Sequence, residues 1–481
     1  MHTRIFPLFM CAAALASSSA ARAETQPVRL WNQVWNAPSN HHDEPSDVLT
    51  LPDHSILVSG SAYNPVDAGT YPVLLHYSES GQLLWAHVES QYASFKHLLL
   101  SSTGDVLLIA TTTIKNVWQV VVRRLNPEDG STVWEAIHPA SYQSNPFSPV
   151  IREDPATQSV LVATTLNTDF LMLRLDFKTG QLLDEHSYDG PQQGNDIATA
   201  IAPLDDGGFV IGGPVGGLAH GYRTIAANAD GSIRWFDQEN GQIGNVFTRE
   251  WLGIDAQGNI LAAGGPETSC GLFSFRAWKI SHTGERLWTV ETPTAGCTSG
   301  QPYAFALGSD GSIVLAGQSH NPFLVEVMHV DPDGANWVRK WPTTGNTAGW
   351  ATTMDSAGNV IVAGINANDQ VVLVGWTPTG DTLFTHADPA LGVTVGAMSM
   401  HADGDGRYAV TTYAGEDIST SVFRRNITPG DVNGDGSVNI NDLTSIILQW
   451  GQCSSSDCGA DLTGDGQVNI DDLTAVILNW E

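Results

Sequence analysis

Two short segments near the C-terminus place oxygen-bearing side chains at the spacing of a calcium-binding loop. They begin at Asp431 and Asp461 and read DVNGDGSVNIND and DLTGDGQVNIDD, 30 residues apart. Ca²⁺ is a hard cation that takes roughly six to eight oxygen ligands, and loop positions 1, 3, 5, 7, 9 and 12 supply them. The expected ligands are Asp431, Asn433, Asp435, Ser437, Asn439 and Asp442 in the first loop, and Asp461, Thr463, Asp465, Gln467, Asn469 and Asp472 in the second.

The two loops differ in one ligand and share the rest of the pattern. Ser437 and Gln467 would contribute backbone carbonyls, and Asn439 and Asn469 would act through water. Thr463 is the weaker ligand, because it replaces an amide with a hydroxyl. The sequence therefore predicts two bound Ca²⁺ ions. The alternative is a pair of Asp/Gly-rich turns that bind no metal.

Each loop is followed by an amphipathic segment. The apolar residues lie at i, i+3, i+4 and i+7, which predicts a short helix with one apolar face. Nothing helical is expected before either loop, so these are loop-helix units. The two helices would bury their faces against each other; the faces comprise Leu443, Ile446, Ile447 and Trp450, and Leu473, Val476, Ile477 and Trp480.

The duplicated loop-helix pattern over residues 430–481 resembles a type I dockerin. This resemblance implies the calcium ligands named above and a cohesin partner, which dockerins contact through loop positions 10 and 11. Those positions are often Ser-Thr in the family, but here they are Ile440-Asn441 and Ile470-Asp471. The expected partner is therefore a cohesin-like protein or a cell-surface component. Dockerins usually accompany carbohydrate hydrolases, but dockerin-like modules also end exported proteins of bacteria that build no cellulosome.

The first 23 residues have the pattern of a secretory signal peptide. Arg4 precedes an apolar run of about 11 residues, and a small-residue stretch ends in Ala21-Arg22-Ala23. That run is too short for a membrane anchor, which needs roughly 20 residues, and no later segment has 18 apolar residues in a row. We expect cleavage after Ala23 and a secreted, extracellular or cell-surface protein without membrane insertion.

Cleavage would leave four cysteines, which allow three disulfide pairings. Sequence distance favours Cys270 with Cys297 and Cys453 with Cys458, and export permits disulfides. A zinc half-site is the alternative for the second pair, although no His lies near it. The formal net charge of -30, without clustered cations, excludes a nucleic-acid binder.

The middle of the chain repeats with a period near 50 residues. A turn glycine is followed, four residues later, by a tryptophan in text such as SESGQLLW and NADGSIRW. A second glycine turn recurs inside each unit before a β-rich run. The turn glycines are Gly81, Gly130, Gly180, Gly231, Gly284, Gly334 and Gly380; the fourth residues after them are Trp85, Trp134, Asp184, Trp235, Trp288, Val338 and Phe384.

Four strands in each repeated unit predict an all-β propeller over residues 24–427. We count eight four-stranded blades; seven would follow if the unit at 136–185, which lacks the Trp, is mis-phased. The last unit has no outer strand of its own, whereas a surplus strand, Arg29–Trp35, precedes the first. We therefore expect this N-terminal strand to complete the last blade. A small α-helical dockerin-like module at 428–481 follows the propeller.

Two clusters in the propeller carry competing interpretations. The recurring aromatic residues fit an inter-blade core better than a sugar-stacking platform, because one occurs per repeat in the same strand. The cluster His41-His42-Asp43-Glu44 is either a surface loop or a metal site. The repeats also resemble PQQ-like propeller repeats. Quinoproteins of that family usually carry adjacent cysteines, which are missing here.

No catalytic motif identifies an enzyme, so the leading hypothesis is a secreted, non-catalytic binding or scaffold propeller docked through its C-terminal module. The first alternative is an exported hydrolase in polysaccharide catabolism. The second is a quinoprotein-like oxidoreductase. Convergent carboxylates in a wide central channel would favour the hydrolase, and a quinone-sized slot the oxidoreductase.

Overall fold

The computed structural model describes most of residues 26–480. The residues it does not describe within that span are 67–68, 90–92, 116, 141–148, 190–195, 216–220, 240–250, 266–272, 293–299, 321, 342–346, 367, 369, 393–397, 404–405, 426–429, 433–437, 453–459 and 464–466. The signal peptide predicted at 1–23 and all four cysteines of the predicted disulfides lie outside the described residues.

Short strands connected by tight turns make up the described part of residues 26–425. In chain order they are β1 Val28–Trp35, β2 Asp43–Thr50, β3 Ile56–Asn64, β4 Gly69–Tyr77, β5 Leu83–Val88, β6 Ala93–Leu100, β7 Val106–Ile114, β8 Val117–Leu125, β9 Thr132–Pro139, β10 Val150–Asp154, β11 Ser159–Leu166, β12 Asp169–Asp176, β13 Leu182–Tyr188, β14 Ala200–Pro203, β15 Phe209–Pro214, β16 Tyr222–Ala227 and β17 Ile233–Glu239.

The second half of the ring continues the same arrangement. Its strands are β18 Trp251–Ile254, β19 Ile260–Gly264, β20 Arg276–Ile280, β21 Arg286–Glu291, β22 Gln301–Leu307, β23 Ile313–Gln318, β24 Val325–Val330, β25 Asn336–Trp341, β26 Ala348–Met354, β27 Val360–Ile365, β28 Gln370–Trp376, β29 Thr382–Gly392, β30 Ser399–Ala402, β31 Arg407–Ala414 and β32 Asp417–Arg424.

Among the described residues these strands form eight four-stranded antiparallel sheets, and the protein is an eight-bladed β-propeller. Blades 1 to 7 take four consecutive strands each, from β2–β5 to β26–β29. In blade 1 the two middle strands are mostly buried on both faces, whereas the outer strand is exposed except at the half-buried Trp85. The prediction of eight blades is confirmed. The unit at 136–185, which lacks the Trp, does not change this count. It runs from β9, the outer strand of blade 2, to β13, the outer strand of blade 3.

Blade 8 closes the ring with a strand from each end of the propeller. Its order is β30-β31-β32-β1, and β1 pairs antiparallel with β32 from Val28 opposite Arg424 to Trp35 opposite Ile418. The predicted N-terminal closure is therefore confirmed. It leaves β32 with hydrogen-bonded neighbours on both sides, which removes a free sheet edge.

The recurring tryptophans join neighbouring blades. Trp85 of blade 1 packs on Gly130 of blade 2, and its Nε1 donates a hydrogen bond of 3.0 Å to the carbonyl of Glu128 in the same turn. Each such indole also borders an apolar cluster shared by two blades. The interpretation as inter-blade core is thus correct. Equivalent pairs are Trp31 with Gly81, Trp134 with Gly180, Trp235 with Gly284, Trp288 with Gly334 and Trp337 with Gly380.

The C-terminal segment contains two helices, α1 Ile440–Leu448 and α2 Ile470–Leu478, and two short paired strands, β33 Gly451–Gln452 and β34 Gln467–Val468. Its core is small; the buried members are Val438, Ile446, Ala460, Val468 and Val476. Leu443 and Leu473 pack beside this core.

One expectation about these helices is wrong. Ile447, Trp450, Ile477 and Trp480 were expected to lie on the buried face, but each is about half exposed. The core between two nine-residue helices accommodates only the i and i+3 residues of each face, because the loops and β34 contribute Val438 and Val468 to it. The remaining apolar residues therefore face solvent.

Candidate functional site

The end of each predicted calcium loop is held by the first turn of the helix that follows it. Asn439 caps α1: its side chain accepts a hydrogen bond from the backbone N–H of Asn441 at 2.8 Å. Asp442 completes a capping box, because its Oδ2 accepts from the backbone N–H of Asn439 at 2.8 Å. Asn469 and Asp472 repeat this arrangement at α2 with the same distances. Loop positions 9 and 12 are therefore fixed relative to each other in both copies.

The carboxylates at position 12 are fully buried. Asp472 accepts backbone N–H bonds on both oxygens, from Thr463 at 2.9 Å and from Asn469 at 2.8 Å. Position 1 of the first loop, Asp431, is also buried. Burying an ionised carboxylate is costly unless hydrogen bonds and a counter-charge compensate for the lost hydration. A cation close to these buried acids would therefore stabilise their ionised form.

The module itself contains no such cation. Residues 428–481 include eight Asp and one Glu, but no Lys, Arg or His. The module therefore has no basic side chain of its own to pair with these acids, and an all-oxygen donor set suits a hard cation such as Ca²⁺. The residues present thus fit the predicted metal.

The structure tests only part of the predicted ligand set. It brings Thr463 to Asp461, with the hydroxyl donating to the carboxylate at 3.3 Å, and it brings Thr463 to Asp472 through the backbone. Gln467 lies in β34, directly before the cap residue Asn469. The remaining predicted ligands, Asn433, Asp435, Ser437 and Asp465, lie outside the described residues.

Comparison with known proteins agrees with this geometry. Residues 429–479 match the family model of the dockerin type I domain. The C-terminal module is dockerin-like. Dockerin type I domains bind calcium and cohesin partners, and proteins that carry them are typically extracellular or attached to cell surfaces. Neither described helix has the length and apolar character needed to cross a membrane.

The propeller is similar to solved propellers in fold alone. The Chaetomium thermophilum Sqt1, solved with the N-terminus of ribosomal protein L10, is 10% identical with a TM-score of 0.50, over 82% of this chain and 100% of that one. The Dos1 propeller is 9% identical with a TM-score of 0.40, over 82% and 81%. The propeller of the Trilobed protease from Pyrococcus furiosus is 11% identical with a TM-score of 0.41, over 71% and 96%. No curated protein matches the sequence.

The dockerin-like module exposes a duplicated set of large apolar side chains. They occupy the same positions in both halves, 30 residues apart. Leu448 and Leu478 are the most exposed, at 80% and 78%. Large exposed apolar patches are typical of interaction sites, and this repeated set of exposed apolar side chains is a candidate for one. The other pairs are Ile440 with Ile470, Ile447 with Ile477, and Trp450 with Trp480.

The innermost strands of blades 8, 1 and 2 bring together a polar group that the sequence did not single out. Asp47 accepts from the Ser399 hydroxyl at 2.6 Å, and its other oxygen lies 2.6 Å from Nδ1 of His97. Burial raises the pKa of Asp47, but the charge of His97 and these hydrogen bonds outweigh it and hold the pKa below its usual range. Burial lowers the pKa of the neighbouring His401.

Stacked aromatic pairs occupy the innermost strands of blades 5 to 7. Trp251 stacks on Phe305 at 5.8 Å between ring centroids, and Tyr303 stacks on Trp350 at 4.5 Å. Each pair joins two neighbouring blades. No sequence motif marks these residues, because each pair comes from strands about 50 residues apart.

Other carboxylates of the innermost strands have local structural partners. Glu153 accepts from the backbone N–H and hydroxyl of Ser102, and Asp154 forms an ion pair of 2.9 Å with Arg174. Within the described residues of the propeller, no three His, Cys, Asp or Glu side chains could hold a metal ion together.

In the cluster His41-His42-Asp43-Glu44, Nε2 of His42 lies 3.2 Å from Oε1 of Glu44, and the other contacts go to residues outside the cluster. Asp43 is buried and accepts from the backbone N–H of Ala37 at 2.7 Å, while His42 stacks on Tyr413. Burial raises the pKa of Asp43 to about 6. Asp43 therefore ties the link between β1 and β2 to the ring, which is a structural role.

Proposed function

We propose that this protein is a secreted, non-catalytic propeller scaffold that docks onto a cohesin-like partner through its calcium-dependent C-terminal module. The propeller would comprise residues 24–427 and the module residues 428–481. The observation that carries the docking function is the duplicated apolar surface at Ile440, Ile447, Leu448 and Trp450 and at the four matching positions of α2.

Calcium would control this surface through the helix caps. Asp442 and Asp472 each join a loop to the first turn of a helix, and those helices present the exposed apolar residues. Without a cation, three carboxylates in each loop would repel one another, and the small core could not hold the helices. Two ions, one in each loop, would therefore order both halves of the docking surface.

The chemistry of the surface supports a particular type of partner. Ile440 and Ile470 stand at the positions where the family often has Ser-Thr, and both are about 59% exposed. An apolar contact at these positions favours a partner with a matching apolar patch. The net charge of the module, nine acids and no bases, favours a neutral or basic rim around that patch.

The test is binding of the full-length chain to a panel of purified cohesin domains, measured by surface plasmon resonance with calcium and with excess chelator. We expect calcium-dependent binding to at least one cohesin. Replacing both Leu448 and Leu478 by Ser should weaken that binding by at least roughly tenfold, because large apolar side chains at an interface centre contribute most of the affinity.

The matched control replaces Leu83 and Leu183 by Ser. These leucines are also exposed, but they lie on outer strands of blades 1 and 3. The control should bind normally. Binding that persists in chelator, or that is equally weak in both double variants, would contradict the proposal.

A further inference from the structure

A basic residue lies opposite several of the inter-blade tryptophans, on the third strand of the same blade. Lys279, opposite Trp288, is the clearest case. Its Nζ lies 2.8 Å from Oδ2 of Asp255, in the first turn of its own blade, and donates to the carbonyl of Pro332 in the next blade at 3.0 Å. Buried charges of this kind are stable only when paired and hydrogen-bonded. Blade 5 therefore carries a built-in ammonium between two blades.

Blade 6 has neither member of this ion pair. His329, opposite Trp337, occupies the position of Lys279. Gly308 occupies the position of Asp255, since each forms the same backbone bonds in its turn. Among the described residues, the carbonyl of Pro378, the equivalent of Pro332, accepts the indole N–H of Trp337 at 2.8 Å and no second donor. A shorter side chain replaces the lysine, and the carbonyl that the lysine would reach remains.

A cavity of about 390 Å³ lies at this place, between blades 6, 7 and 8. Its lining includes His329, Pro378, Asp310 and Asp331. The side chain of Asp331 is 45% exposed, whereas that of His329 is 3% exposed, so the cavity extends from solvent to the buried imidazole. Cavities of this volume are in the range that binds small molecules.

In blade 6 a carboxylate reaches the same place from a neighbouring position in the turn. A Cβ atom on Gly308 would lie 2.6 Å from Oδ1 of Asp310. The Asp310 carboxylate thus occupies the space in which the Asp255 side chain begins in blade 5. Its Oδ1 accepts two hydrogen bonds from Ser312. The anion is present in blade 6, but the ammonium that would neutralise it is missing.

One nitrogen of the His329 ring also lacks a polar partner, as does the same nitrogen of His76 at the equivalent position of blade 1. Nδ1 of His329 is buried and forms no hydrogen bond with any described residue, and its distance to Asp331 Oδ1 is 3.8 Å. Burial lowers the pKa of His329, although Asp331 and Asp310 oppose this, so its net effect favours a neutral ring. A neutral ring nitrogen can accept a hydrogen bond from an N–H donor. Blade 4 provides a contrast, because there Ala226 and Leu204 fill the same positions with apolar side chains.

We propose that the cavity between blades 6, 7 and 8 binds a small primary ammonium ligand in the position that the Lys279 ammonium takes in blade 5. The ammonium would donate to the carbonyl of Pro378 and to the His329 ring, and would pair with the carboxylates of Asp310 and Asp331. An ammonium has three N–H donors, which matches a carbonyl, an imidazole and a carboxylate. This proposal does not depend on the docking function of the C-terminal module.

The test is isothermal titration calorimetry of the full-length, calcium-saturated protein with butylammonium. We expect saturable binding at one site. Tetramethylammonium has the same charge but no N–H donor, and should not bind at the same concentrations. Guanidinium distinguishes the shape of the donor: weaker binding than butylammonium is expected, and tighter binding would overturn the assignment to a primary ammonium.

The decisive variant is His329→Lys. The introduced side chain would supply the missing ammonium and should reduce butylammonium affinity by at least roughly tenfold. Because this variant restores the contact seen in blade 5, its melting temperature should not fall, which separates loss of the site from loss of the fold. Unchanged affinity in this variant would show that butylammonium binds elsewhere and would overturn the proposal.

A pair of substitutions in one turn provides the matched control. Asp331→Asn should weaken binding by roughly three- to tenfold, since it removes a carboxylate from the cavity lining. Asp333→Asn removes the same charge two residues away, outside the lining, and should leave the affinity unchanged. Equal weakening by both substitutions would indicate general attraction to an acidic protein and would contradict the proposal.

Discussion

The indole of Trp31 packs against Gly81 and donates a hydrogen bond of 2.8 Å to the carbonyl of Glu79. Trp31 lies on β1, which is the outer strand of blade 8, whereas Gly81 lies in a turn of blade 1. The contact therefore closes the ring with the same indole-to-turn arrangement that joins five other pairs of blades. The contact that closes the ring is thus of the same kind as the contacts between the other blades.

Glycine at position 81 serves both the turn and the indole. Its φ is +83°, and a Cβ would lie 2.7 Å from Cδ2 of Trp31. Gly81→Ala should therefore cost roughly 1 kcal/mol for the left-handed backbone and about 1–3 kcal/mol more for displacing the indole. Urea denaturation of the full chain measures the loss of unfolding free energy.

Gly104→Ala is the matched control, because Gly104 has a φ of +85° and nothing within 4 Å of the added Cβ. It should lose only the backbone contribution. Equal losses in the two variants would show that the Trp31 contact does not contribute to stability.

Deleting Arg29–Trp35 should destabilise the whole propeller. The deletion exposes the edge of β32 and removes both Trp31 and the ion pair of 2.6 Å between Arg29 and Asp388 of blade 7. Trp31→Phe is the milder comparison, since it keeps the ring packing and loses one hydrogen bond, at a cost of about 1 kcal/mol. A melting temperature that is unchanged in the deletion would contradict the closure.

Two positions show how far the repeat could be predicted from sequence. Val338 is the fourth residue after Gly334, but the tryptophan of blade 6 is Trp337, one residue out of phase with the repeat, and the structure shows that Trp337 makes the inter-blade contact. In blade 1 the register between β4 and β5 shifts at a β-bulge between His76 and Tyr77. Trp85, opposite His76, is therefore the fourth residue after the turn glycine. Blade 6 has no such shift, so His329 pairs with the third residue. The period could be counted from sequence, but a bulge cannot.

The boundary between blades 7 and 8 shows a second limit. Phe384 replaces Trp at the outer strand of blade 7, where blade 8 offers no hairpin turn, because its outer strand comes from the N-terminus. Without a turn carbonyl to accept an indole N–H, a phenyl ring is buried there with Phe423. The cavity at His329 could not be predicted for a related reason. It becomes apparent only when His329 and Gly308 are compared with Lys279 and Asp255 at the equivalent positions of blade 5.

Glu326 should make stability depend on pH. It is buried, and burial raises its pKa to about 7, although Lys340 opposes the shift. A raised carboxyl pKa favours the folded state below the ordinary value of 4.5, and that contribution is lost as pH rises through about 7. Glu326→Gln removes the ionisation, so its stability advantage over the wild type should open between these values and reach at most roughly 3 kcal/mol.

Chemical denaturation at pH 5 and pH 8 measures this advantage. Asp43, whose pKa is also raised, is present in both the wild type and Glu326→Gln, so its contribution cancels in the comparison. Glu285→Gln, at an exposed position, should show no advantage that changes with pH. An advantage of Glu326→Gln that is the same at both values would contradict the assignment.

The calcium prediction distinguishes two neighbouring acids. Asp472 is fully buried, holds the backbone of Thr463 and Asn469, and stands at loop position 12, whereas Asp471 is exposed at position 11. Calorimetric titration of the full chain should find two calcium ions in the wild type and in Asp471→Asn, but one in Asp472→Asn. The heat-induced unfolding transition of the C-terminal module should depend on calcium in the first two proteins. Because the module has no basic residue to replace the ion, excess chelator should unfold it while the propeller remains folded. Loss of a calcium ion in Asp471→Asn, or a module that keeps its transition in chelator, would show that the buried carboxylates are stabilised without the metal.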